Sequence, residues 1–275
     1  MKLDEIYRNH PLNQRTILTR VAAQGVRDDR VTEWHLAVDP LTDITDQNHS
    51  GGVEATLQLA SLAGVDRTCT VVDVGAGLGG PARVLADAFR CRVVGIEQDA
   101  GRYHDAVDLT RRVGLDERVE FRRQDALVAD ADVHDADVLW GQATWVHFPD
   151  PGAFLARWVP VLRSGGRVAM ADSHLKRTPG SDAETALITM LEDAWGARLV
   201  PLAVWRRALD AQGCSTTHQE ERTDEAVSSF RRLQRVAARW PEGTVTDAER
   251  HSWELALSAY ASGLIGAYHL VARRT

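Results

Sequence analysis

The stretch TVVDVGAGLGGPARVLA, residues 70–86, decides the fold. It reads as a strand, a glycine-rich turn and a helix in immediate succession. The missing side chains of Gly75, Gly77 and Gly79 let a ligand approach the backbone, and the first N–H groups of the following helix have no partners within it. A nucleotide-like ligand is therefore expected above this turn. The string Gly75-Ala76-Gly77-Leu78-Gly79-Gly80 also satisfies G-x-G-x-x-G, and Glu97 lies near the distance at which a dinucleotide site places its ribose-binding acid. The glycines alone do not say which nucleotide-like ligand binds. Asp73 separates the options, because a carboxylate two residues before the first glycine repels a pyrophosphate and suits a ligand with a cationic end.

Outward from the turn, short apolar runs at 70–74, 92–96, 119–121, 138–140 and 167–171 alternate with segments long enough for helices, at 81–89, 101–113 and 152–162. This rhythm predicts a parallel sheet covered on both faces. Around the first helix Arg83, Asp87 and Arg90 are expected to face solvent while Val84 and Leu85 face the sheet. Beyond Asp172 the pattern gives helices at 182–197 and 201–211, a strand near 215–222, helical segments to about 262, and a last apolar run at 267–272 that reads as a strand returning to the sheet edge. Upstream, Ile6, Leu12, Ile17, Leu18 and Val21 recur at loose helical spacing, interrupted at His10-Pro11, which predicts one or two helices. The turn-rich DPLTDITDQNHSGG at 39–52 follows, with Ser50 expected to cap a helix over 53–63. The expected fold class is α/β: a doubly wound, Rossmann-like sheet, mostly parallel with an antiparallel C-terminal edge strand, plus a helical lid.

A second discriminator follows the third strand, where VEFRRQDA ends on Asp125-Ala126. The exocyclic amine of adenine needs an acceptor, and a carboxylate at a strand end supplies one; a simple loop or helix cap is the other role open to Asp125. From about residue 71 to 173 the chain resembles class I S-adenosylmethionine-dependent methyltransferases, whose motif is an acid followed by three alternating glycines at the end of the first strand. The resemblance implies that Asp73 lies near the methionine amino group, that Glu97 holds the ribose hydroxyls and that Asp125 meets adenine. Gly75, Gly77 and Gly79, Gln98 beside Glu97, Ala126 beside Asp125, Gln142 at the fourth strand end and Gln47 in the N-terminal loop complete the implied cofactor set. GAGLGGPAR at 75–83 and DVLWGQATWVHFPDP at 137–151 look like segments of glycine, sarcosine and dimethylglycine N-methyltransferases and of sterol and tocopherol C-methyltransferases. They imply a small-molecule acceptor and leave open whether N, O or C is methylated.

Methyl transfer from a sulfonium is an in-line displacement, so a base is needed only where the acceptor carries a proton that must leave. His147, just after the fourth strand, is the first candidate, with a structural histidine bonded to nearby backbone as its other reading. His49 in the N-terminal loop and His174 after the fifth strand are further candidates. Trp145 offers an aromatic face to a sulfonium or cationic acceptor, or else packs in the core as Trp140 is expected to. The implied organisation is an N-terminal lid with an active-site loop over 1–64, an S-adenosylmethionine-binding core over 65–213, and further core strands with inserted lid helices over 214–275. An NAD-dependent oxidoreductase and a non-catalytic cofactor-binding homologue are the alternatives.

The 39 acidic residues outnumber the 32 Lys and Arg, for a formal net charge of −7, which opposes a phosphate-tracking surface. A small molecule is the expected partner, rather than nucleic acid or membrane, and a homodimer stays open. Cys69, Cys91 and Cys214 are far apart, so neither a disulfide framework nor a zinc site is expected, and no His/Asp/Glu spacing points to another metal. The opening MKLDEIYRNHPLNQR lacks an uninterrupted apolar run, so a cytoplasmic location is expected by elimination.

Overall fold

The structure is a computed structural model that describes residues 10–128 and 133–275. A helix around Ile6 would lie outside them. In chain order the elements are α1 (Gln14–Ala23), α2 (Glu33–Ala37), α3 (Gly52–Leu62), β1 (Thr70–Val74), α4 (Gly80–Phe89), β2 (Arg92–Glu97), α5 (Ala100–Arg112), β3 (Val119–Arg123), β4 (Ala136–Gln142), α6 (Pro151–Trp158), β5 (Leu162–Leu175), α7 (Asp182–Trp195), α8 (Leu202–Ala211), β6 (Cys214–Glu221), α9 (Thr223–Val236), α10 (Asp247–Ala261) and β7 (Ile265–Arg274).

The seven strands form one sheet in the order β3-β2-β1-β4-β5-β7-β6. β1 to β5 pair in parallel, while β7 runs antiparallel to both its neighbours. Parallel strands need cover on both faces, and TVVDV in β1 is buried along its last four residues accordingly. The connections from β1 and β4 lead away from each other, so a crevice opens at the carboxyl ends of these two strands.

The last strand is antiparallel as expected, but it lies one place in from the edge. Its Leu270-Val271-Ala272 run is fully buried, as befits an inner strand, whereas β6 after buried Cys214 alternates exposed and half-buried residues along STTHQEE and takes the edge. β5 extends well past the expected 167–171 because β7 pairs with it from Arg167 to Leu175. The helix expected over 152–162 stops at Trp158 and tightens into a 3-10 turn, Val159–Val161, since Pro160 has no N–H to continue it. Gly51, rather than Ser50, caps α3. Its φ is 78°, and its N–H donates to Ser229 Oγ at 3.0 Å, so contact with α9 fixes this loop in place of a serine cap.

Arg83 departs most from expectation. It is fully buried, donating from Nε to Glu33 Oε2 at 3.0 Å, from Nη2 to Asp46 Oδ2 at 2.6 Å and from Nη1 to Thr110 Oγ1 at 3.0 Å. Its partners come from the N-terminal segment and α5, which the local pattern of α4 does not contain. Asp87 and Arg90 are exposed as expected. The N-terminal segment also meets the C-terminal helices: Arg232 Nε pairs with Asp43 at 2.9 Å, and Arg239 Nη1 donates to Leu41 O at 3.0 Å. Two stretches remote in sequence thus join into one helical layer beside the sheet. No helix among the described residues is long and apolar enough to cross a membrane.

Candidate cofactor and acceptor site

The carboxyl ends of four neighbouring strands converge on one cleft. β1 and its turn bring Asp73, Gly75 and Gly77, and the end of β2 brings Glu97 and Gln98. The chain after β3 adds Asp125 and Ala126, β4 adds Gln142 and His147, and His49 enters from the N-terminal loop.

The turn is tied to β2 by Gly75 N–H and Ala76 N–H, which donate to Ile96 O at 2.9 and 3.0 Å. Gly75 has φ 81°, and a Cβ there would fall 1.9 Å from Thr144 Oγ1, so the loop after β4 closes against bare backbone. Glu97 shapes the same turn: Oε2 accepts from Gly77 N–H and Oε1 from Asp99 N–H, each at 2.8 Å. Each oxygen keeps a second lone pair for a ligand hydroxyl. Asp125 lines the cleft, and its Oδ1 accepts from Leu127 N–H at 2.8 Å.

Asp73 is 2% exposed, and its Oδ2 has no hydrogen-bond partner. Burial, and then the neighbouring Glu97, push its carboxyl up to about 7. A buried carboxylate is costly unless a cation or donors meet it, and no donor of the described residues meets this oxygen. Asp46, Glu97 and Asp125 also lie on the wall, against Arg102. An acid-rich wall fits a cationic ligand and opposes a pyrophosphate.

On the other side, Gln142 Oε1 accepts from Thr56 Oγ1 at 2.9 Å. His49 is held among polar groups, Nδ1 lying 3.0 Å from Ser50 O, and Nε2 3.1 Å from Gln47 Oε1 and 3.2 Å from Thr56 Oγ1. The Gln47 amide is oriented by its other end, which donates to Asp46 Oδ1 at 2.7 Å. His49 therefore serves as a hydrogen-bonding post, and burial lowers its pKa. His147 is arranged differently. Its Nδ1 lies 3.0 Å from Gly196 O, and a carbonyl only accepts, so Nδ1 carries the proton and Nε2 the lone pair. Burial lowers its pKa too, which keeps the ring neutral.

Four predicted site residues lie elsewhere. Trp145 is fully buried, stacked on Trp205 at 5.4 Å and tilted against Phe154 at 5.1 Å, because the 3-10 turn Trp145–His147 directs its first and third residues differently. His174 is 1% exposed and sits two residues beyond Asp172, beside Trp205 of α8 and Tyr268 of β7, away from the cleft wall. Gln47 lies behind the wall and supports His49. Gly79 caps α4, where a Cβ would fall 2.4 Å from the Phe121 ring, so it serves helix-on-sheet packing. Asn48, Arg102 and Phe148 line the cleft without having been singled out in the sequence. Asn48 and Phe148 adjoin His49 and His147, and that adjacency was the only signal available for them.

Residues 72–170 match a family model described as a methyltransferase domain. Methyltransferase GfsG of Streptomyces halstedii is 32% identical over 152 residues, covering 55% of this chain and 52% of that protein. The chain spans about half the length of the curated relatives it matches. Geranyl diphosphate C-methyltransferase from Streptomyces coelicolor A3(2), solved with S-adenosyl-L-homocysteine, superposes with a TM-score of 0.69 at 17% identity, over 81% of this chain and 76% of that one. The [4+2]-cyclase SpnF superposes with a TM-score of 0.66 at 19% identity, over 90% and 97%. The core of the chain is thus similar to methyltransferase domains, in the match over residues 72–170 and in its fold.

Proposed function

We propose that the chain transfers a methyl group from S-adenosylmethionine to an N, O or C atom of a small molecule. One observation carries this reading: the buried, unpartnered Oδ2 of Asp73 at the head of a cleft whose next two strand ends bear Glu97 and Asp125. In this arrangement Asp73 receives the ammonium group, Glu97 accepts from the ribose hydroxyls and Asp125 from the adenine amine, with Gln98 and Ala126 beside them. Gly75 and Gly77 leave the backbone open to the ligand. When bound, the sulfonium supplies the methyl group. The Nε2 lone pair of His147 takes the proton of an acceptor that must lose one, while Gln142 and His49 form a polar wall and Phe148 an apolar one.

Incubating the protein with S-adenosylmethionine and a panel of amines, phenols, carboxylic acids and prenyl compounds tests this by mass spectrometry. A product heavier by one CH2 unit identifies the acceptor. For a proton-bearing acceptor, His147→Gln is expected to lower kcat by about 10²- to 10³-fold, leaving S-adenosylhomocysteine affinity within about threefold. The wild-type rate should fall as pH drops through the lowered pKa of His147, since only the neutral ring accepts a proton. An unchanged kcat removes His147 from the chemistry.

A second prediction concerns the lid. A Cβ at Gly80 would fall 2.3 Å from Asp46 O, a backbone atom with little freedom to move. Gly80→Ala is expected to displace the loop that carries His49 and to weaken S-adenosylhomocysteine binding by about tenfold or more, read by calorimetry.

Superposition with a [4+2]-cyclase shows that this fold also serves a reaction other than methyl transfer, so the second reading is a cofactor-binding homologue that does not transfer methyl. Binding of S-adenosylhomocysteine with no methylated product across the panel would select it.

A further inference from the structure

Asp172, near the end of β5, is buried against the chain that follows β4. Its Oδ2 accepts three consecutive backbone N–H groups, from Thr144 at 3.1 Å, Trp145 at 2.7 Å and Val146 at 3.2 Å. Oδ1 accepts from Ser173 N–H at 2.9 Å. The charge is thus met by backbone dipoles, in the way a carboxylate sits at a helix N-terminus.

These N–H groups converge because of how the chain leaves the sheet. Ala143 has φ 50°, a left-handed step that costs energy in a residue with a Cβ and persists only where neighbours enforce it. Its own N–H is bonded to Ala171 O at 2.9 Å, and the next three bond Asp172. The 3-10 turn Trp145–His147 begins there, and its N-cap residue, Thr144, makes no side-chain cap of its own. The cap comes instead from a strand 28 residues further along the chain. The same turn closes Thr144 against Gly75, buries Trp145 and presents His147 and Phe148 to the cleft.

We infer that Asp172 is a positioning residue for the acceptor side of the site: it caps the strained turn after β4 and so sets the register in which His147, rather than Trp145, faces the cleft. Its bearing on catalysis rests on the reading of His147 as the base. Asp172 itself does not line the cleft.

The test is NMR of the 15N-labelled protein saturated with S-adenosylhomocysteine. In the wild type the amides of Thr144, Trp145 and Val146 are expected to exchange slowly, and His147 Nδ1–H to give a downfield resonance from its bond to Gly196. Asp172→Ala removes every acceptor, whereas Asp172→Asn keeps one oxygen and loses the charge. Asp172→Ala is expected to lose the His147 resonance and to speed exchange of the three amides about 100-fold. Asp172→Asn should retain the resonance with exchange about tenfold faster, because one neutral acceptor is weaker than a charged one. Exchange at Val72 of β1 and Val94 of β2, and the affinity for S-adenosylhomocysteine, should stay within about threefold. Asp172→Asn alone decides the matter should the alanine variant not fold. Unchanged amide exchange at 144–146, or equal acceleration at Val72 and Val94, overturns the inference. These readouts follow where the ring is placed, so they stand apart from whether His147→Gln slows turnover.

Discussion

Replacing Asp73 with asparagine is expected to stabilise the ligand-free protein while weakening S-adenosylhomocysteine binding by about 100-fold or more. The carboxyl of Asp73 is raised from 3.8 to about 7 by burial and by Glu97. A carboxyl raised in this way holds its proton more tightly in the folded than in the unfolded chain, so native stability falls as pH rises between about 4 and 7. Above that window the full cost stands, with an upper bound on the order of 4 kcal/mol at about 1.36 kcal/mol per pH unit. Asparagine has nearly the same shape and no charge to desolvate, so Asp73→Asn should melt higher than wild type near pH 8 and lose that advantage near pH 4. For a cationic ligand the same change replaces an acceptor and a negative charge with a neutral amide. A variant that gains no stability near pH 8, or that binds S-adenosylhomocysteine as wild type does, contradicts this assignment of Asp73.

The second large effect is expected at Arg83. Its guanidinium joins α2, through Glu33, to the loop after it, through Asp46, and holds both on the helix that follows the glycine-rich turn. Arg83→Met would leave two carboxylates buried without their cation, which costs about 3–5 kcal/mol. At roughly 2–4 °C per kcal/mol for a chain near this size, thermal unfolding should begin on the order of 10 °C lower. Burial already holds the Glu33 carboxyl well above its ordinary range, chiefly against the pull of Arg83. In Arg83→Met that carboxyl takes up a proton more readily, so mild acid should recover part of the loss. Adding Glu33→Gln and Asp46→Asn should recover more. Unfolding of Arg83→Met at the wild-type temperature would show that this cluster does not anchor the N-terminal segment.

The parts of the molecule legible in the sequence are those whose determinants are local. A strand, a turn and a helix lie within residues 70–86, and Asp73, Glu97 and Asp125 each stand at a strand end, so their arrival at one edge follows from parallel topology alone. Arg83 was misread because a helix pattern shows which face is apolar, and says nothing about two acids 50 and 37 positions upstream that turn a charged residue into a buried clamp. The orientation of Trp145 and His147 was open because it depends on a cap supplied by Asp172, a backbone contact that leaves no mark in residue spacing. His174 shared the strand-end position that served for Asp125. Packing of α8 over the far end of β5 put it in the core instead. The place of β7 inside the sheet was harder still, since an apolar run indicates burial without naming its neighbours.

Calorimetric titration with S-adenosylhomocysteine and, separately, with NAD addresses the donor pocket most directly. S-adenosylhomocysteine should bind, with an affinity that rises by up to about tenfold per pH unit to a plateau near 7 and with release of up to one proton, as Asp73 ionises against the ligand's ammonium group. NAD should give no binding heat. Binding of NAD together with no binding of S-adenosylhomocysteine would contradict the account.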